Sequence, residues 1–341
     1  KKERRSNLEL YRIIVMLLIV AHHYVVNSGL LQVMSNNPVS GRAIYLYLFG
    51  MWGKTGINCF VLITGYFMCK SEITIRKFLK LILEVEFYNV VIYLVFLLSG
   101  YESFSVKSFI KAIIPVYDIS SDFTSCFLMF YLFIPFLNIL IRNMNKPMHK
   151  RLVILCLILY TFFGTAPKCH VVMNYVSWFC VLYFISSYIR IYGFIPKVTN
   201  RQWGEITLLS VVLSIASVLM LIELHQIIGI KLVPYRLVSD SNVFFAIFTA
   251  VCSFMYFKDL KIRQSRLINT ISASTFGVLC IHANSDTMRQ WLWKDMLNNV
   301  GQYQSDNIYW ISILSVMMVF IICILIDHLR IISIEKWTLK F

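Results

Sequence analysis

The stretch Asn7–Asn27 decides how the rest of this chain is interpreted, and it reads N-L-E-L-Y-R-I-I-V-M-L-L-I-V-A-H-H-Y-V-V-N. Its central residues are apolar enough to cross a membrane as a first helix. The same stretch carries a set of polar and ionisable side chains: Glu9, Arg12, His22, His23 and Asn27. Ionisable groups are costly inside a bilayer and by default mark a functional site there. The stretch therefore predicts a membrane helix that carries chemistry.

Arg12 and His23 are spaced so that they share one face of this helix. His23 follows Arg12 by eleven positions, and at about 100° per residue the two side chains differ by only about 20° around the axis. At about 1.5 Å per residue they lie about 16 Å apart along it. One face would hold an anion-binding guanidinium at one end and an acid/base group at the other. The simpler interpretation is a snorkelling arginine and one packed histidine.

The composition identifies the class of protein. Of the 341 residues, 58% are hydrophobic and only 14% are charged, with a mean hydropathy of +0.70. A soluble domain of this length would have about a quarter of its residues charged. The net charge of +15 is typical of cationic cytoplasmic loops, so we expect a lipid bilayer and no nucleic acid as a partner. The nine cysteines form no C-x-x-C pair and predict neither a disulfide framework nor a metal site.

Ten apolar runs are long enough to span a bilayer, within a few residues at each end. We therefore predict an all-α, polytopic integral membrane helical bundle of about ten transmembrane helices, forming a single domain over residues 1–341. The second run contains several glycines together with Lys54 and Asn58, which predicts a broken or irregular helix. The ten runs are 10–30, 44–69, 78–99, 122–141, 152–167, 174–192, 205–224, 237–257, 267–290 and 308–329.

Lysines and arginines are unevenly distributed among the connections between these runs. The two chain ends and the even-numbered connections hold 22 of them, whereas the odd-numbered connections hold 8. Because cytoplasmic loops are enriched in Lys and Arg, both termini are predicted to be cytoplasmic. We expect a multi-pass protein of the plasma membrane. The segment 103–117 looks like an amphipathic helix on the outer surface, for which we expect a structural role.

Polar residues on three predicted helices fall at a similar depth. Counted from the cytoplasmic side, His23 and His282 lie about 20 and 22 Å along their helices. Asn58 and Lys54 lie about 16 and 22 Å along theirs. We therefore expect these side chains to meet in the outer half of the bilayer, although a packed or interfacial His282 is an equally simple interpretation. His22 points about 100° away from His23 and is expected to pack or to support the site.

A second group of charges is predicted near the cytoplasmic face. Arg12 lies deeper in its predicted membrane helix than a cation that only sets the orientation of the chain would. Arg76 and Lys77, in contrast, are first of all cytoplasmic loop charges of the positive-inside pattern. Glu9 precedes Arg12 by about one turn and is expected to fix its side chain. Glu84, inside the third predicted span, needs a buried partner, which Arg12 or a loop cation could supply.

Several blocks, in order, resemble the signature of membrane acyltransferase family 3. The run N-x-E-L-x-R followed by a histidine resembles the R-x10-H motif of this family, which Arg12 and His23 carry in this sequence. The resemblance covers the whole chain, although residues 152–257 match in hydrophobicity only. Four further blocks of this sequence are similar to later signatures of the family: Gly56–Phe67, Arg76–Lys80, Phe130–Asn138 and Ser274–His282.

The resemblance implies a carbohydrate O-acyltransferase. Its donor would be cytoplasmic acyl-CoA, usually acetyl-CoA, and its acceptor a hydroxyl of an extracytoplasmic polysaccharide or lipid-linked sugar; no metal is implied. His23 would be the general base or the acyl carrier, and the predicted catalytic residues are His23, His282 and Asn58. The donor phosphates would bind Arg12, Arg76 and Lys77. Supporting roles are expected for Glu9, Lys54 and Tyr66.

Two other functions are compatible with parts of this pattern. A secondary transporter or a flippase of lipid-linked glycans would also have a broken second helix and charges near the midplane, but it would perform no acyl chemistry. A polysaccharide polymerase would be expected to have a large outer loop, and the longest outer connection here, about residues 99–121, is modest.

Overall fold

The chain folds into a bundle of α-helices. The structure is a computed structural model, and it describes residues 4–119, 122–167, 169, 171–194, 197–228 and 232–335. No strand occurs within these ranges. The predicted all-α class is therefore confirmed.

The helices follow one another with short connections. Three of them continue into wider π-helical turns, at Leu157–Phe162, Gln290–Met296 and Ile331–Glu335. In chain order the α-helices are α1 (Ser6–Val26), α2 (Leu30–Asn36), α3 (Gly41–Gly50), α4 (Gly53–Met68), α5 (Ile75–Leu98), α6 (Val106–Ile113), α7 (Phe123–Asn143), α8 (Lys146–Cys156), α9 (Phe163–Thr165), α10 (Tyr175–Tyr192), α11 (Asn200–Ile228), α12 (Phe244–Lys258), α13 (Arg266–Ala273), α14 (Thr275–His282), α15 (Asp286–Arg289) and α16 (Ile308–Arg330).

Seven helical segments of the described chain are long and apolar enough to cross a membrane: Ser6–Val26, Gly41–Met68, Ile75–Leu98, Phe123–Asn143, Lys146–Thr165, Asn200–Ile228 and Ile308–Ile334. The chain is thus a polytopic helical membrane protein. The three other predicted spans are helical as well, at α10, at the shorter apolar α12 and at the interrupted pair α13–α14. The total of ten and the orientation of the termini stay predictions.

The second span is broken where its glycines predicted a break. α3 ends at Gly50 and α4 begins at Gly53. The buried imidazole of His22 lies across this break, and its Nδ1–H donates to the carbonyl oxygen of Gly50 at 2.6 Å. A side chain at position 53 would collide with it, since a Cβ there would lie 2.2 Å from Cγ of His22. A carbonyl freed at membrane depth needs such a donor, because no water is available to it.

α1 lies at the centre of the bundle. It packs against α3 and α4 on one side and against α12, α13, α14 and α16 on the others. Gly56 of α4 also allows a close approach to α1, since a Cβ there would lie 2.9 Å from the side chain of Ile19. This central position brings the polar groups of α1 into contact with helices that are distant in sequence.

The helix ends separate into two sides of the bundle. On the first side, the start of α1 is tied to the end of α12, because Nδ2 of Asn7 donates to the carbonyl oxygens of Phe257 and Lys258, both at 2.9 Å. On the opposite side, the end of α1 is tied to the segment before α16, because Nδ2 of Asn299 donates to the carbonyl oxygen of Tyr24 at 3.0 Å. We call these the α1-start side and the α1-end side.

A buried ionic cluster joins α5 and α16 within the bundle. Arg330 donates through Nη2 to Glu84 at 2.9 Å and through Nε to Asp327 at 2.9 Å. The hydroxyl of Tyr88 donates to the same oxygen of Asp327 at 2.7 Å. Structural pairing of Glu84 was predicted, and its partner is Arg330. Gly277 lets α14 pack directly on this cluster, because a Cβ there would lie 2.2 Å from Oδ1 of Asp327.

Candidate active site

His23 of α1 and His282 of α14 form a direct hydrogen bond near the α1-end side. Nδ1 of His23 lies 2.9 Å from Nε2 of His282. His282 is fully buried, whereas His23 is partly exposed. The two residues are 259 positions apart in the chain and meet because α14 packs on α1. The predicted meeting of these two histidines is thus present in the structure.

The hydrogen bonds assign the tautomers of both rings when they are neutral. Nδ1 of His282 lies 2.5 Å from the carbonyl oxygen of Val278, which can only accept, so this nitrogen carries the hydrogen. Nε2 of His282 is then the acceptor, and Nδ1–H of His23 donates to it. Nε2 of His23 is left with a lone pair, and no described residue hydrogen-bonds to it. The pair therefore presents one oriented basic nitrogen.

Two positive side chains and a buried tryptophan surround the pair. The charges of Lys54 and Arg289 both act on the His23 ring. Lys54 also donates through Nζ to the hydroxyl of Tyr175 at 2.5 Å. The indole of Trp293 packs edge-on against the His282 ring, and its Nε1–H is buried without a partner among the described residues.

Asn58 lies in the core, where it joins three parts of the chain. Its Nδ2 donates to the carbonyl oxygen of Ser241 at 2.6 Å. Its Oδ1 accepts from the indole nitrogen of Trp178 at 2.8 Å. Its hydrogen bonds are with these two partners and with neither histidine, so the geometry favours a structural role for Asn58. The predicted catalytic role stays a prediction without a contact that supports it.

Arg12 and Glu9 form the ion pair that their spacing predicted. Nη1 of Arg12 lies 3.4 Å from Oε2 of Glu9, and the Arg12 side chain is 24% exposed. The same buried carboxylate oxygen accepts from the hydroxyl of Ser272 at 2.5 Å and lies 3.9 Å from Nη1 of Arg4. Two cations share one carboxylate, so the group keeps a net positive charge. Arg12 is thereby fixed and remains accessible to an anion.

The other predicted donor-binding and supporting residues lie on the α1-start side. Arg76 and Lys77 are exposed in the first turn of α5, and Nζ of Lys77 donates to the carbonyl oxygen of Glu72 at 2.6 Å. Tyr66 is buried, and its hydroxyl accepts from Nη1 of Arg190 at 2.8 Å. Arg190 thus contacts Tyr66 directly, whereas in the sequence it was counted only among the loop charges.

A polar cavity of about 580 Å³ opens beside α14 on the α1-end side. Cys280 of α14 and Asn284, two residues after the end of that helix, line it. Arg289, whose charge also acts on His23, lines it too. Carboxylates, hydroxyls and aromatic rings complete the wall, among them Tyr93, Glu102, Asp122 and Asp286.

Comparison with known families adds to this geometry. The profile of acyltransferase family 3, described as an acyltransferase domain, matches residues 5–327. The chain belongs to acyltransferase family 3. No curated protein and no solved structure gave a significant match. The match covers nearly the whole membrane bundle, so this bundle is itself the acyltransferase domain.

Several residues around the site of this acyltransferase were missed in the sequence. Arg289 and Trp293 lie in a segment that looked like an outer connection, and Tyr175 begins a span that matched the family in hydrophobicity only. For Arg289 and Trp293, the sequence did offer a signal: one arginine and two tryptophans follow the helix that carries His282. Among the described residues, no group of three or more His, Cys, Asp or Glu side chains is placed to hold a metal ion.

Proposed function

We propose that this acyltransferase moves an acetyl group from acetyl-CoA, bound on the cytoplasmic side, to a hydroxyl of an extracytoplasmic or lipid-linked glycan. One observation carries the proposal. His23 has a basic nitrogen, Nε2, held in a fixed orientation by the hydrogen bond from its other nitrogen to His282. A neutral histidine with one nitrogen so fixed is the usual form of a general base.

The donor would extend along α1 from the α1-start side. Its phosphates would bind Arg12, which is oriented by Glu9, with further charge from Arg76 and Lys77. About 16 Å of helix axis separate Arg12 from His23, which is of the order of the length of a pantetheine arm. The thioester would then lie beside His23.

The acceptor would approach from the polar cavity. Sugar hydroxyls are suited to the carboxylates and amides of its wall, and sugar rings pack on aromatic side chains such as Tyr93. A hydroxyl at the end of the cavity near Arg289 would be the one presented to His23. The positive charges of Lys54 and Arg289 would stabilise the oxyanion that develops on the thioester carbonyl.

The chemistry then needs only these groups. Nε2 of His23 accepts the proton of the sugar hydroxyl while its oxygen attacks the thioester carbon, and His282 stabilises the resulting imidazolium by accepting the Nδ1–H bond. Collapse of the tetrahedral intermediate breaks the C–S bond. His23 returns the proton to the departing thiolate, giving free CoA thiol and an acetyl ester. In the alternative order, Nε2 attacks the thioester carbon and the C–S bond breaks, so that CoA leaves as its thiolate; the sugar hydroxyl then attacks the acetyl-imidazole, its oxygen takes the acetyl group, and its proton passes to the thiolate as the imidazole is regenerated.

A thiol-release assay tests the proposal. Purified protein in nanodiscs is incubated with acetyl-CoA and a glycan extract, and free thiol is measured for the wild type, His23→Ala and His328→Ala. His328 is a partly exposed histidine near the end of α16 and serves as the matched control. Thiol release that is absent in His23→Ala and retained in His328→Ala supports the proposal. Equal release in all three proteins contradicts it.

The order of transfer can be tested with the same proteins. Rapid acid quenching of wild-type protein with labelled acetyl-CoA, without acceptor, would reveal label on His23 if the acetyl group is carried by the enzyme. A direct transfer leaves no label. The transporter and flippase alternative predicts no thiol release under any of these conditions, and membership of an acyltransferase family argues against it.

A further inference from the structure

An apolar groove on the outside of the bundle adjoins the polar cavity. The groove has a volume of about 920 Å³ and runs between α5 and α16. Along α5 it extends from Phe87 to Gly100, which is about 20 Å of helix and about two thirds of the hydrocarbon thickness of a bilayer. Its wall is almost wholly apolar, and Val91 and Val95 are exposed in it. These dimensions suit a long hydrocarbon chain.

The groove and the cavity meet at one side chain. Phe96 lines both of them, and its ring packs against Tyr101 and Trp291 at the α1-end side of the groove. A molecule with its hydrocarbon chain in the groove would therefore place its head in the polar cavity. The acceptor site of the proposed function and the groove form one continuous amphipathic surface.

Two lysines carry unpaired positive charge into this surface. Lys107 and Lys111 are one turn apart on α6 and both line the cavity. Neither has a carboxylate partner among the described residues; Nζ of Lys111 lies over the ring of Tyr117. The carboxylates of the cavity, by contrast, have partners. Glu102 accepts from the hydroxyl of Thr287, and Asp122 accepts from the backbone N–H of Ser125. Asp286 forms an ion pair with Arg289, and Asp118 has a partner as well. The lysines are left to bind an anion.

The position of α6 fits this role. Four of its other side chains, Val106, Phe109, Ile110 and Ile113, are apolar and exposed. A helix with such a face and two lysines suits the membrane interface, where a lipid phosphate would be. Tyr93 of α5 packs against Phe109 and fixes α6 beside the cavity. The sequence had suggested only a structural role for this amphipathic helix.

We infer that this surface binds a lipid-linked saccharide, with its hydrocarbon chain in the α5–α16 groove, its phosphate at Lys107 and Lys111, and its sugar in the polar cavity. The inference rests on the proposed function and specifies its acceptor. The enzyme would modify a sugar while it is still attached to its lipid carrier. A finished polymer without a lipid would use neither the groove nor the lysines.

The test measures binding of a radiolabelled polyprenyl phosphate by the full chain in phosphatidylcholine nanodiscs, with unlabelled polyprenol or phosphatidylglycerol as competitors. Lys107→Gln/Lys111→Gln should weaken binding by about tenfold or more, since each charge-assisted hydrogen bond to phosphate contributes appreciably to affinity. Lys294→Gln/Arg236→Gln removes two exposed charges elsewhere and should have little effect. Excess polyprenol or phosphatidylglycerol should compete weakly.

A second pair of variants tests the groove. Val95→Trp fills it, whereas Leu94→Trp places the same side chain at the same depth on an exposed position outside it. Only Val95→Trp should lose polyprenyl phosphate binding. If Val95→Trp does not fold, as judged by its unfolding midpoint, Val91→Trp takes its place because Val91 lines the same groove.

Three results would overturn the inference: binding that phosphatidylglycerol displaces as well as polyprenyl phosphate does, binding that the lysine pair does not affect, or equal effects of Val95→Trp and Leu94→Trp. The proposed function is tested separately, because thiol release from acetyl-CoA depends on His23. A protein that releases thiol through His23 and fails these binding tests keeps its proposed function and has an acceptor that is not lipid-linked.

Discussion

Nδ1 of His23 and Nε2 of His282 lie 2.9 Å apart, and the carbonyl oxygen of Val278 fixes which nitrogen of each ring carries a hydrogen. The backbone of α14 thus determines that the nitrogen of His23 available for chemistry is Nε2. In the proposed mechanism His282 would therefore be a positioning residue, because it would act on the reaction through His23.

We expect different losses from the two histidines. His23→Ala should lower the rate of acetyl transfer by about 10²–10⁴-fold, the usual contribution of a general base. His282→Ala should cause a smaller loss, and His282→Gln should restore part of it, since its amide can accept from Nδ1–H of His23. Glycan acetylation and CoA binding are measured at matched protein levels. A larger loss from His282→Ala than from His23→Ala would reverse the two roles.

Arg12 should act on donor binding more than on chemistry. Arg12→Ala is expected to weaken binding of acetyl-CoA by about 1.5–3 kcal/mol, as for a charge-assisted hydrogen bond. Arg12→Lys should recover only part of it, because a lysine cannot bind a phosphate through two parallel hydrogen bonds. Calorimetry with acetyl-CoA measures the effect. Arg201→Ala is the control, because Arg201 is an exposed arginine with an acidic neighbour on its own helix. Unchanged affinity in folded Arg12→Ala protein would remove Arg12 from the donor site.

Gly53→Ala should destabilise the break in the second span. The new Cβ would lie 2.2 Å from Cγ of His22, so the ring must move and its bond to Gly50 is strained. Overpacking of this kind costs about 1–3 kcal/mol. Gly41→Ala is the control, since its Cβ would meet nothing closer than 3.8 Å. Unfolding midpoints in detergent are compared, and a Gly53→Ala midpoint equal to that of Gly41→Ala would contradict the packing described here.

Arg330→Met should be among the most destabilising substitutions in the chain. It leaves Glu84 and Asp327 buried without their shared cation, and breaking a buried ion pair from one side typically costs about 3–5 kcal/mol. The triple variant Glu84→Gln/Asp327→Asn/Arg330→Met removes the charges together and should recover part of the loss. Unfolding measurements decide the point. No recovery in the triple variant would mean that the arginine stabilises the bundle by packing alone.

The predicted topology can be tested with accessibility tags. Tags at residues 1, 147 and 341 should be cytoplasmic, and a tag at residue 170 should be external, because the cationic connections alternate with the others. Residues 1, 170 and 341 lie outside the described residues, and the test needs only their position in the chain. An external tag at residue 341 would be incompatible with ten spans and two cytoplasmic ends.

Local features of the sequence predicted local features of the fold. The glycines at positions 50 and 53 predicted the break between α3 and α4, and the spacing of Glu9 and Arg12 predicted their ion pair. Both depend on residues within one or two turns of each other, where helix geometry alone fixes the distance. The same geometry separated His22 from His23 and predicted that His22 would pack or support the site.

Contacts between distant helices were predicted less well. The depth argument placed His23, His282 and Asn58 in one layer, but depth along a helix does not determine which way each side chain points. Asn58 turns toward Trp178 and Ser241, and Glu84 pairs with Arg330 from the other end of the chain. These contacts depend on how whole helices rotate and pack against one another. The periodicity within one helix does not predict that arrangement.

The sequence by itself determined the membrane class, the break in the second span, the family and the shared face of Arg12 and His23, because these depend on composition, on local motifs and on the repeat of a single helix. Only the tertiary structure showed that His282 is hydrogen-bonded to His23, that Asn58 is hydrogen-bonded to Trp178 and Ser241, and that a polar cavity and an apolar groove meet at Phe96. The physical reason is that side-chain packing between helices selects one rotation for each of them, and this selection depends on the whole bundle at once.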